Sequence, residues 1–238
     1  MAVQAMLQGV CSFNNKMYRL CPDVSTGFCG LNYVRPRRMR SFTPTVLLVM
    51  SALLVLIGTI AFASLRPEYT HVRNTISELG ETGAALSHQV SYGIFLPAGL
   101  LVWAAVYLAA NSATPRELKV VLALLSSLGT GYVMAAMFPC DPGSPLLGSW
   151  RQQVHNFFGF IEYAGTAGGM LLACHLLLKK GHTTTGILFG LAGVVVVLCL
   201  AGLSIASAFP YRGGIQRIAE AIMFLGSTAF VATMRSEA

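Results

Sequence analysis

The sequence predicts an all-α integral membrane protein, a bundle of six transmembrane helices. Both termini are expected in the cytoplasm, with an ordered outer loop between helices 1 and 2. Three observations carry this prediction. Of 238 residues, 55% are hydrophobic and only 11% are charged, with a mean hydropathy of +0.65, whereas soluble domains carry about 25% charged residues. Six apolar runs of roughly 20 residues are each long enough to cross a hydrocarbon core of about 30 Å. Basic residues cluster at one side of those runs, as the positive-inside rule requires.

Residues 1 to about 41 are polar and lack periodicity, so they read as a disordered or doubtful tail ahead of a membrane domain at 42–238. Met39-Arg-Ser-Phe-Thr-Pro also resembles an ordinary signal-anchor start, which makes Met39 an alternative first residue. The six spans fall near 45–65, 89–110, 118–137, 157–178, 186–208 and 215–234. The first is too long and too apolar for a cleaved signal peptide. In the later spans Gly165-Thr-Ala-Gly-Gly169 and Gly186-Ile-Leu-Phe-Gly190 give small-residue spacing, which lets helices approach closely in lipid.

With the N-terminus inside, eleven of the Lys and Arg residues lie on the inner side and five, Arg66, Arg73, Arg151, Arg212 and Arg217, on the outer side. The formal net charge of +7 is therefore concentrated beside the membrane, with Arg35, Arg37, Arg38 and Arg40 ahead of the first span. That placement favours anionic lipid over nucleic acid as a partner. The six cysteines show neither a Cys-x-x-Cys pair nor metal-ligand spacing, so no disulfide framework, metal site or cofactor is expected. The predicted localisation is the cell (inner) membrane.

The unusual residues sit in the outer connections. The first, Arg66 to His88, holds His71, Arg73, Glu78, Glu81 and His88. Within it Thr75-Ile-Ser-Glu78 matches a capping box, in which a hydroxyl and a carboxylate three residues apart satisfy each other's backbone amides. Gly80 follows as a stop. The second connection reads Phe138-Pro-Cys-Asp-Pro-Gly143, with Asp141 as a turn former. His155 is expected to open the fourth span, with Glu162 on the same helical face below it. The third connection is Phe209-Pro-Tyr-Arg-Gly-Gly214, and Arg217 and Glu220 follow on the sixth span. Glu220 repeats the placement of Glu162, and both Phe-Pro exits are alike, which suggests that helices three and four repeat as five and six. Buried acids are costly in a membrane, so Glu162 and Glu220 should face the bundle or a wet cavity.

Tyr69, Ile76-Ser-Glu-Leu-Gly80, Phe138-Pro-Cys-Asp-Pro-Gly143 and His155-Asn156 together resemble the six-span membrane family catalogued as domain of unknown function 998. The resemblance covers roughly residues 45–234 and implies the six-span fold without an activity. Ile76-Ser-Glu-Leu-Gly80 is also similar to the Ile-Ser-Asp-Thr-Gly element of the Frag1/DRAM/Sfk1 membrane proteins, some of which work in lipid-anchor remodelling.

The reading these residues favour is an outer-face site acting on or binding a lipid or lipid-linked molecule. His155, Glu162, Asp141 and Glu78 are its catalytic candidates, and His71, Arg73, His88, Arg212, Arg217 and Glu220 its substrate-binding candidates. The alternatives are a non-catalytic accessory subunit with partner membrane proteins, a proton-coupled transporter using Glu162 and Glu220, and a b-type haem protein ligated by His88 and His155. Both acids are expected to lie too shallow for a transporter, by their distance from the span ends.

Overall fold

The computed structural model describes residues 43–111, 115–205 and 210–236. The expected tail, the alternative start at Met39 and Phe209 of the suggested repeat lie outside the described residues, as do Cys11, Cys21 and Cys29.

Six helices are long and apolar enough to cross a membrane: α1 (Thr43–Ala63), α2 (Ser87–Asn111), α3 (Arg116–Met137), α4 (Trp150–Lys179), α5 (Thr183–Leu203) and α6 (Arg212–Met234, continuing to Ser236). There is no strand among the described residues. Consecutive helices are neighbours, and α6 packs back on α1 to close the ring, while α4 also touches α6 across it. The sides of α1 show why the ring belongs in lipid. Leu48, Ser51, Val55 and Thr59 are buried at helical spacing, while Leu53, Leu56, Ile57 and Ile60 are equally apolar yet exposed. Helices apolar all round face lipid where they do not face each other.

The observed helix limits differ most from the expected spans at α4. It starts at Trp150, seven residues before the predicted 157, because Ser149 caps it by accepting from the Gln152 amide at 3.3 Å. Arg151, Gln152 and Gln153 are polar but good helix formers, so hydropathy stops where the helix does not. Its other end is a Schellman stop: His182 N donates to Leu177 O at 3.0 Å and Gly181 N to Leu178 O at 3.0 Å, with Gly181 at φ 83°.

Two helices carry local defects. A π turn occupies Ser91–Phe95 of α2 and turns Ile94 and Phe95 both inward, and such turns are frequent at functional sites. In α3 the helix is interrupted at Ser126, where the Ser126 and Ser127 hydroxyls donate to the Ala123 and Leu124 carbonyls at 2.6 and 2.7 Å. Hydroxyls that bond back to the preceding turn bend helices in this way. The glycine clusters seen in the sequence lie at helix crossings: Gly165 and Gly169 approach α3, and Gly186 lies against Leu178.

Candidate functional site

At the end of the bundle that bears the 66–86 connection, four helices and that connection border one small cavity. Tyr132 from α3, Glu162 from α4, and Gln216 and Glu220 from α6 line it, with Phe95 of α2 beside them. Ile76 and Ser77 of the connection form its roof. The volume is about 20 Å³, room for about one water. Both oxygens of Glu220 are held: Tyr132 donates to one at 2.9 Å and Tyr163 to the other at 3.1 Å. Glu162 is held quite differently. It is only 8% exposed, its Oε1 has no hydrogen-bond partner, and its carboxyl presses on the backbone of Gly131, where a Cβ would collide with it. Glycine at 131 is what lets an acid side chain reach this point. By the helical rise of 1.5 Å, Tyr132 lies about 8 Å inward of the end of α3 and Glu220 roughly 12 Å inward of the start of α6.

The roof is an ordered loop fastened to α6. The expected capping box forms, with Thr75 N donating to Glu78 Oε1 at 2.9 Å and Glu78 N to Thr75 Oγ1 at 3.3 Å. It starts a 3-10 turn at Ser77–Gly80. Asn74 Nδ2 donates to the other Glu78 oxygen at 2.7 Å, so the Glu78 carboxylate is fully engaged within the loop. The Arg217 guanidinium donates to the carbonyls of His71 and Asn74 at 2.7 and 2.9 Å and to the Tyr69 hydroxyl at 2.6 Å. Burial raises the Tyr69 phenol above its usual value, and the neighbouring Arg217 charge works against that rise. Gln216 Oε1 accepts from Ile76 N at 2.6 Å, and Gly214 N donates to Val72 O at 2.9 Å. Gly213 permits this contact, since a Cβ there would strike the Asn74 and His71 carbonyls.

The connection between α3 and α4 locks onto the same loop. Arg66 bonds Glu81 at 2.9 Å, Glu81 accepts from Gly143 N at 2.8 Å, and Thr82 N donates to Cys140 O at 2.8 Å. Cys140 is buried and its thiol donates to Ser77 O at 3.4 Å. Burial pushes that thiol up to about 12. Asp141 accepts from Ser149 N and Oγ at 2.7 and 2.8 Å, and those two bonds hold its carboxyl below the usual range. His155 Nδ1 pairs with Phe138 O at 2.9 Å and must donate, because a carbonyl only accepts. It lies well inside α4 rather than opening it.

The ten candidates therefore separate. Glu162 and Glu220 meet at the cavity, while Glu78, Asp141, His155 and Arg217 spend their side-chain bonds fastening loops. His71, Arg73 and His88 are exposed, the last stacked on Tyr92 at 5.9 Å, and Arg212 is buried at the start of α6 without lining the cavity. The family described as "Protein of unknown function (DUF998)" matches residues 35–233, most of the chain. The chain belongs to the DUF998 family. No curated protein and no solved structure matches it. The resemblance to the Frag1/DRAM/Sfk1 proteins rests on its five residues alone.

In this DUF998 chain the residues that sequence reasoning missed are Tyr132, Tyr163, Gln216, Gln152 and Phe95. A usable signal existed for the tyrosines, which stand inside apolar runs where a buried hydroxyl must find an acceptor. Gln152 carried none. It is fully buried, accepts from Asp141 N at 2.6 Å and donates to Pro145 O at 2.9 Å, so its role depends on a distant turn.

Proposed function

We propose that this multi-pass membrane protein is a proton-coupled carrier in which Glu162 and Glu220 share a proton beneath the 66–86 loop. In this reading the loop end faces the extracytoplasmic side of the cell (inner) membrane and both termini are cytoplasmic, as the Lys and Arg distribution favours. The observation that carries it is one water-sized cavity with two carboxyls, and no Lys, Arg or His, among its described lining residues. Two carboxylates facing one narrow space repel, so a proton between them is the simplest neutralisation. An intramembrane acid pair is a usual part of a proton path.

The lipid or lipid-linked substrate favoured by the sequence receives less support. A phosphate headgroup needs a cation facing it, whereas Arg217 is turned to the loop and the cavity walls are acidic. Its volume of about 20 Å³ is also far below that of a headgroup. A b-type haem gains nothing from His88 on the surface and His155 bound to a carbonyl.

The test is infrared difference spectroscopy on purified protein at neutral pH, combined with proton flux in proteoliposomes under an imposed pH gradient. The wild type should show the carbonyl stretch of a protonated carboxyl and should dissipate the gradient, and Glu162→Gln and Glu220→Gln should lose both. A wild type with neither property, or variants that keep both, would refute the proposal.

A further inference from the structure

We propose that the cavity under the loop also binds a monovalent cation of the size of Na⁺, in exchange for the proton shared by Glu162 and Glu220. This rests on the carrier reading and names the second ion of the same site. It starts from an asymmetry. Glu220 has a phenolic donor on each oxygen, whereas Glu162, 8% exposed, has no partner for Oε1 and faces the cavity. Burying a carboxyl without a donor is costly unless a proton or a cation completes it. The Tyr132 proton points at Glu220, which leaves a phenolic lone pair of this lining residue available beside the carboxyl oxygens.

The donor set is made of hard oxygens, with neither sulfur nor imidazole lining the cavity, which suits an alkali or alkaline-earth ion over a transition metal. Charge and space choose between the first two. A calcium ion takes six to eight oxygens and magnesium keeps several waters, but a cavity of about 20 Å³ leaves room for about one water. The exchange balances: the O–H bond of one carboxylic acid breaks, its proton leaves, and one Na⁺ binds between the two carboxylates, so the site's net charge is unchanged. Around the pair, α2 presents Phe95 and the loop presents Ile76 and Ser77, all uncharged, while α3, α4 and α6 present Tyr132, Tyr163 and Gln216. The nearby Glu78 carboxylate and Arg217 guanidinium are both engaged with the loop.

The experiment is thermal unfolding of the full-length protein in nanodiscs of zwitterionic lipid, with NaCl compared against KCl and choline chloride at equal ionic strength and several pH values. Na⁺ alone should raise the midpoint, and its apparent affinity should fall about tenfold for each unit of pH lowered, as competition with one proton requires. Glu162→Gln and Glu220→Gln should lose the response, and Tyr132→Phe should weaken it if the acid variants fail to fold. Asp141→Asn, which lies outside the cavity, should keep it. An equal response to choline or K⁺, no response, or a response retained in both acid variants overturns the proposal. If the infrared carboxyl signal persists without a Na⁺ response, the cation inference alone fails; if the carboxyl signal is also missing, the carrier reading fails with it.

Discussion

Replacing Arg217 with alanine should release the 69–80 loop while leaving the bundle intact. Arg217 donates to the His71 and Asn74 carbonyls, to the Gly213 carbonyl of its own helix and to the Tyr69 hydroxyl. The His71 carbonyl lies at an exposed position and recovers water when the guanidinium goes. The Asn74 carbonyl and the Tyr69 hydroxyl are less accessible, so two charge-assisted bonds of about 1.5 kcal/mol each are lost. Closure of the loop should then weaken by roughly 3 kcal/mol, or about 100-fold in its opening equilibrium. Hydrogen exchange with mass spectrometry, on protein in nanodiscs, reads this directly: protection should fall over 69–80 and stay unchanged in α1 and α5. Arg217→Lys should recover part of it, since an ammonium is a single point charge without the planar fork. Protection over 69–80 that changes by less than about threefold, or a loss spread evenly over all helices, would refute the clamp.

Gly131→Ala should lower the thermal midpoint by the equivalent of about 1–3 kcal/mol, because the new methyl meets the Glu162 carboxyl; Gly168→Ala, where a Cβ meets nothing within 4 Å, should be near neutral in the same scan. The turn held by Asp141 should be pH-dependent. Ser149 holds the folded carboxyl below its ordinary value, so its contribution is present above the unfolded value of about 3.9 and is lost as the pH falls below it. Exchange protection over 138–149 should therefore drop on acidification in the wild type and stay flat in Asp141→Asn. Cys140, buried and with its thiol pushed up to about 12, should react slowly with maleimide at pH 8, and Arg217→Ala should accelerate that labelling; rapid labelling of the wild type would contradict its burial.

Much of this architecture was legible in the sequence because membrane solvation acts on each run separately. Each span was recognisable from its own composition, and the capping box from four consecutive residues whose groups satisfy one another locally. The early start of α4 was not, since its cap depends on Ser149 and on Gln152, which bonds back to the preceding turn. The ten candidate residues shared one end of the bundle, but sharing an end says little about which side chains converge. Glu78 is engaged by near neighbours, a structural use that its four-residue pattern did foresee, whereas Asp141 takes its side-chain bonds from Ser149, eight residues on. Arg217 is committed to Tyr69, His71 and Asn74, residues more than 140 positions away in the chain, and no local pattern announces that.

The segment between helices 1 and 2 shows the division most clearly. The sequence by itself determined that it is polar, that it lies between two spans and that Thr75 and Glu78 start a turn, because those outcomes follow from local chemistry and from the cost of placing charge in lipid. Only the tertiary structure decided that the segment is a roof, because roofing needs Arg217 and Gln216 of α6 to meet its carbonyls and amides. The same holds for the acids below. Their cost in lipid could be read from the sequence, but whether Glu162 and Glu220 stand apart or share one cavity depends on how α3, α4 and α6 pack, and on a glycine at 131 that leaves the space.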